Sequence, residues 1–313
     1  MTHLPTDQHE SVYDGLLDHH PLTDDSQWAF GTDFEDPLAG VDTTVPDGID
    51  HGALAAYCLM LGDDALVYSH RLSEWCSRAP DLEEDIALAN ISLDLLGQAR
   101  LLLARAAAAD PSCVPSLPER SPVPPEDALA FFRSDHGFRN VRLVEVDNGD
   151  FAVTIVRLLL FSTWRLALLQ RLATSRDQVL AAIAAKGTKE VTYHRDYAGR
   201  WFLTLAQGTD ESRSRLLSGL DLVWRMHDEL FAPTDVETAV ATAHVGVDPS
   251  TVAHEVSAVL EPVFSASDVQ QPELPQVGAV SGGTGRSGRH TEALSHLLAE
   301  MQSVARAHPE GLW

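Results

Sequence analysis

The sequence predicts an all-α protein: a four-helix bundle followed by additional C-terminal helices. Three observations predict it. Apolar residues make up 44% of the 313 residues, enough for a substantial core. Aromatics are only 7%, and alanine and leucine dominate the apolar set, which favours helices over a β-sandwich. Helix start and stop signals divide the chain at intervals that suit long helices.

Residues 1–50 contain twelve Asp or Glu, no Lys or Arg, and turn formers such as Asp47-Gly48. They read as an acidic tail, disordered or loosely attached. The helical domain, 51–313, follows. A first helix is expected over about 53–77, before Pro80. Asp81 and Glu84 then form a D-x-x-E start signal for a second, over about 82–108, which Asp110-Pro111 stops. A Pro-rich connector leads to a short helix at 126–132. The turn Asp147-Asn148-Gly149-Asp150 opens a third long helix, to about 173. Asp177 caps a fourth, to about 206, ended by Gly208. Further helices are expected near 211–231, 250–260 and 291–307, with a Pro/Gly-rich stretch at 261–290. Two helical hairpins joined by one longer crossover (core 53–207) form the ferritin-like plan.

The formal net charge is −24. That argues against a nucleic-acid binder and against docking on an anionic membrane surface. Lysine is almost absent, with only Lys186 and Lys189. Cys58, Cys76 and Cys113 are too scattered to imply a disulfide framework or a CxxC metal site. No apolar run is expected to reach the ~20 residues that span a bilayer. The N-terminus does not read as a signal peptide, so a reduced, cytoplasmic setting is expected.

Polar residues occur where apolar faces should be. The second helix is apolar nearly all round, yet Asn90, Asp94 and Gln98 fall on one stripe. The fourth carries a matching stripe, Lys186, Glu190 and His194. The third places Arg157 inside an apolar run. If these groups face one another in a bundle they must pair, so Arg157 is expected to meet Asp94 or Glu190; the alternative is that each lies on a solvent face. A di-iron bundle needs two Glu and two Glu-x-x-His motifs. The chain has no Glu-x-x-His or Asp-x-x-His; it has Glu190-x-x-x-His194 and Asp94-x-x-x-Gln98. Glutamine is a poor stand-in for histidine, and a nearby arginine repels iron. The reading is a pseudo metal site of Asp94, Gln98, Arg157, Glu190 and His194, with no metal and no catalytic residue in this chain. Separately, Gly282-Gly-Thr-Gly-Arg-Ser-Gly-Arg resembles a phosphate cradle but not a Walker A loop. Arg286 and Arg289 could touch a ligand or partner there, or sit in a flexible loop.

Several segments in order resemble the PaaC-like family of phenylacetyl-CoA epoxidase subunits. They include Leu61-Gly-Asp-Asp, Arg71-Leu-Ser-Glu-Trp-Cys, Leu88-Ala-Asn-Ile-Ser-Leu-Asp-Leu-Leu-Gly-Gln-Ala-Arg, Asn148-Gly-Asp-Phe, Lys189-Glu-Val-Thr-Tyr-His and His290-Thr-Glu. The likeness runs from about residue 54 to Trp313. It implies a ferritin-like subunit that lacks the iron and supports a homologous di-iron catalytic subunit. It further implies that phenylacetyl-CoA is bound mainly by that partner, with NADPH, FAD and iron–sulfur chemistry in other subunits of the complex. The residues leave three alternatives open: an autonomous ferritin-like metal-binding oxidase, a helical module that binds acyl-CoA, and a plain helical scaffold for another partner.

Overall fold

The computed structural model describes residues 38, 40–276 and 283–311. Most of the acidic segment therefore lies outside the described residues. Its last part does not stand apart: Leu38 and Ile49 are buried, and the carbonyls of Thr43 and Thr44 accept from Arg105.

Among the described residues the helices are α1 (His51–Ser73), α2 (Leu82–Ala109), α3 (Pro125–Phe131), α4 (Phe151–Leu172), α5 (Gln178–Gln207), α6 (Asp210–Trp224), α7 (Asp235–Thr242), α8 (Ala253–Ala266) and α9 (Glu292–Ala307). No strand occurs among the described residues. Aspartates start four of the long helices by capping an orphan backbone N–H. Asp50 accepts from Ala53, Asp81 from Glu84, Asp150 from Val153 and Asp177 from Leu180. The chain turns into α4 through Gly149, at φ +62°, a conformation that costs glycine little.

α1 and α2 form one antiparallel hairpin, and α4 and α5 the other. α2 lies against α5, and α1 faces α4 through the Tyr68–Phe161 edge contact at 4.8 Å. The two hairpins are joined by the crossover through α3. This is the expected bundle. α4 is its central member, with Leu158, Leu159, Leu160, Phe161 and Trp164 all buried. Each such side chain contributes about 1.5–3 kcal/mol by leaving water.

Several boundaries differ from expectation. α1 ends at Ser73, and Ser77 sits in the left-handed region at φ 64°. α6 stops at Trp224, followed by a 3-10 turn, Asp228–Phe231. α7 was not expected. α8 continues past the expected end at 260, because Pro262 is accommodated inside it. The expectation on apolar runs is also corrected. α2 and α4 are both long and apolar enough to cross a bilayer, by length and composition. The apolar window of α4 is wholly buried inside the protein, that of α2 only in part.

Buried arginine–carboxylate pairs tie the segments together: Arg105–Asp177 joins α2 to the cap of α5, Arg133–Asp63 and Arg286–Asp64 pin outer segments to α1, and Arg142–Glu229 joins two turns outside the bundle. Buried pairs of this kind fix register more than they add stability.

Candidate functional site

The bundle centre is the place where a ferritin-like protein builds a metal cluster. Its inner positions here are filled from three helices. Arg165 of α4 donates from Nε to Gln98 Oε1 of α2 at 3.0 Å. Gln98 Nε2 donates to Glu190 Oε2 of α5 at 2.9 Å. The Lys186 ammonium, one turn earlier on α5, donates to the other oxygen of Glu190. Arg165 also reaches Leu61 O of α1 at 3.3 Å. The result is one chain of contacts, guanidinium to amide to carboxylate to ammonium.

Burial pushes the Arg165 guanidinium down to about 10, and Asp64 and Glu190 hold it partly up. Its Nη2 has no hydrogen-bond partner among the described residues. Gln98 fits closely beneath the backbone of Gly187: a Cβ at Gly187 would lie 3.3 Å from the Gln98 amide carbon. Beside this chain, Asp94 Oδ2 meets His194 Nε2 at 3.0 Å.

The sequence-predicted site residues are thus partly assembled. Asp94 with His194, and Gln98 with Glu190, share the α2–α5 contact. Arg157 does not join them, which corrects the expected pairing. It sits near the other end of α4. There it donates to Val146 O and Asn148 Oδ1, and it lies over the Tyr68 ring at 5.3 Å. Burial lowers its pKa, Arg71 adds to the fall, and Tyr68 and Glu74 offset only part of it. The cation at the bundle centre is Arg165, eight residues or about 12 Å further along the helix. The sequence reading missed it, although the same signal, an arginine in an apolar run, marks both.

Arg286 corrects a second expectation. It is buried, donates to both oxygens of Asp64 at 2.9 and 2.8 Å, and lies 3.7 Å from Glu237. Its pKa stays raised because burial is outweighed by those carboxylates. It cannot reach a ligand. The backbone before it is equally committed: Gly285 N donates to Glu229 Oε1 at 2.8 Å, and a Cβ on Gly285 would sit 2.0 Å from Asn140 O. The expected phosphate cradle is therefore a structural plug from Gly283 onward, and Gly282 lies outside the described residues. Arg289 is exposed at its edge.

A di-iron cluster does not fit this donor set. Where carboxylates and histidines are required, the centre holds a guanidinium, an amide, an ammonium and one carboxylate already engaged by two of them. The carboxylates of α1 are engaged elsewhere: Asp63 by Arg133 and Arg139 N, Asp64 by Arg286 and Val141 N. Among the described residues no group of three or more His, Cys, Asp or Glu is placed to hold a metal ion.

Residues 42–313 match the family model described as phenylacetic acid catabolic protein. The chain is 42% identical over 260 residues to the PaaC subunit of the 1,2-phenylacetyl-CoA epoxidase of Escherichia coli (strain K12). That alignment covers 83% of this chain and 99% of the relative. With nearly the whole helical domain matched, the chain belongs to the phenylacetic acid catabolic protein family.

Proposed function

We propose that this chain is a non-catalytic, structural subunit of a multicomponent phenylacetyl-CoA epoxidase in aerobic phenylacetate breakdown. The observation that carries the reading is the filled bundle centre, Arg165–Gln98–Glu190–Lys186, which leaves no donor set for iron. The likeness to an epoxidase subunit supplies the context. In this reading a homologous subunit holds the di-iron centre and the acyl-CoA. NADPH, FAD and an iron–sulfur centre belong to the reductase side of the complex. The chain's own contribution is mechanical: a rigid helical surface that holds the partner's active-site helices in place.

The test is reconstitution. The chain is purified alone and with the homologous di-iron subunit, each loaded with ferrous iron without oxygen. The reading expects less than ~0.1 iron per chain alone. It also expects a stable complex, and phenylacetyl-CoA epoxidation only when that complex is supplied with reductase. Stoichiometric iron and turnover by the chain alone would overturn it.

A further inference from the structure

A row of oxidisable rings lies where the C-terminal half of α5 meets the start of α2. Tyr193, Tyr197 and Trp201 follow at intervals of four residues, so they share one stripe of α5, each about 6 Å from the next along the axis. The Tyr193 and Tyr197 rings are 6.4 Å apart between centroids and tilted by 30°. Beyond Trp201 the row continues edge to face, to Phe151 at 5.0 Å and from there to Trp75 at 5.9 Å. Tyr193 is 49% exposed, Trp201 is half-buried and Tyr197 is buried.

Glu84, in the first turn of α2, joins two of these rings. Trp201 Nε1 donates to its Oε2 at 2.8 Å, and Tyr197 Oη donates to the same oxygen. An indole and a phenol, both able to lose one electron, thus share one proton acceptor. Each ring becomes a far stronger acid once oxidised, so it gives up an electron readily only where a base takes its proton. A carboxylate already within hydrogen-bond reach of both protons is such a base. Until then the Tyr197 phenol stays protonated, because burial and Glu84 hold its pKa well above the ordinary value. Packing alone does not require a carboxylate here, since a glutamine oxygen would accept from both rings.

We propose that Trp201, Glu84 and Tyr197 form a redox relay that takes up a one-electron oxidant, an oxygen-derived or organic radical, and passes the oxidising equivalent to Tyr193 at the surface. The oxidant removes one electron from Trp201, and the indole N–H proton moves to Glu84, leaving a neutral indolyl radical. At neutral pH that radical is a stronger oxidant than a phenoxyl radical. It takes one electron from Tyr197, while Glu84 returns its proton to Trp201 Nε1 and receives the phenol proton. Trp201 is restored and the radical stands on Tyr197. Tyr193 then gives one electron to Tyr197, which recovers its proton from Glu84, and Tyr193 releases its own proton to water. A soluble reductant supplies the electron that closes the cycle at exposed Tyr193. The relay does not depend on the subunit reading.

Pulse radiolysis of the full chain tests it. Azide radicals oxidise indole in preference to phenol, and indolyl and phenoxyl radicals absorb in separate bands. In the wild type the indolyl band should decay as the phenoxyl band grows, at a rate independent of protein concentration. Tyr197→Phe should remove most of that growth. Tyr68→Phe, at a buried tyrosine outside the row, should leave it unchanged. Glu84→Gln keeps acceptors for both rings but removes the base, and should slow the transfer ~100-fold. Transfer in Glu84→Gln within ~10-fold of the wild-type rate overturns the relay, because a positioned base contributes more than that. Full phenoxyl growth in Tyr197→Phe overturns it as well. Should either variant fail to fold by circular dichroism, the wild type in D2O decides: a proton-coupled transfer is slower there, and equal rates in the two solvents overturn the relay.

Discussion

Arg105 and Arg157 are both fully buried guanidinium groups, and their surroundings set what each loss costs. Arg105 holds Asp177, itself fully buried, through Nε at 3.1 Å and through Nη2. Arg105→Met strands that carboxylate, so a loss of about 3–5 kcal/mol in urea unfolding is expected. Arg157 has only neutral acceptors and a ring. Arg157→Met should cost about 1–3 kcal/mol, because it leaves carbonyls unmet. Equal costs would show that Asp177 tolerates being unpaired. The two arginines of α4 also show where sequence reading stopped. A cation in an apolar run must find a partner, and both do. Which one reaches the bundle centre depends on how far each helix slides along its neighbour. That offset is set by loop geometry and packing, which periodicity does not encode. The spacings of Asp94-Gln98 and Glu190-His194 were legible because they are local to one helix.

At the scale of elements, α9 is held by a clip that responds to pH. His290 Nδ1 meets Glu145 Oε2 at 2.7 Å, and Nε2 meets Phe138 O at 3.0 Å. Both partners accept, so the ring serves both only when doubly protonated. Burial pulls its pKa down, but Glu145, the Phe138 carbonyl and Asp63 outweigh it, and the value is raised. Asp135 also faces it. A raised folded value means the clip is complete below the ordinary histidine value, ~6.5, and is lost as pH rises through the folded value. Hydrogen exchange of α9 amides, corrected for intrinsic rate, should lose protection as pH rises above the ordinary histidine value, ~6.5. In His290→Gln, that protection should be flat across the same range. A flat wild-type profile would show the clip to be pH-independent. The probe must be local, because burial pulls His70 and His227 down and they act in the opposite sense. Most helix starts were legible, since an aspartate cap leaves a one-residue signature. α7 has one too: Thr234 and Glu237 form a reciprocal capping box. The sequence reading passed over that signature, although it found the shorter α3. Glu84 looks like half of such a box, yet its carboxylate goes to Tyr197 Oη and to Trp201 Nε1, a tertiary contact no local pattern announces.

For the whole molecule, the charge is lopsided: −24 overall, with many arginines turned inward. Buried pairs are screened little by salt, and the acidic exterior is screened strongly. Raising NaCl from ~0.05 to ~0.5 M should therefore raise the melting temperature by several degrees, read by calorimetry. A fall would mean that exposed ion pairs outweigh surface repulsion. α4 has a further consequence, in time rather than space. Its 22 residues are apolar enough for a bilayer, and part of their cover comes from α6 and α8. α8 ends at Ala266, ninety-four residues after Leu172. At synthesis rates of about 5–20 residues per second, α4 waits about 5–20 s for that cover. During that interval the nascent chain displays a segment that chaperones and membrane-targeting factors read as a greasy span. Its yield in a cell should therefore depend on who meets α4 first.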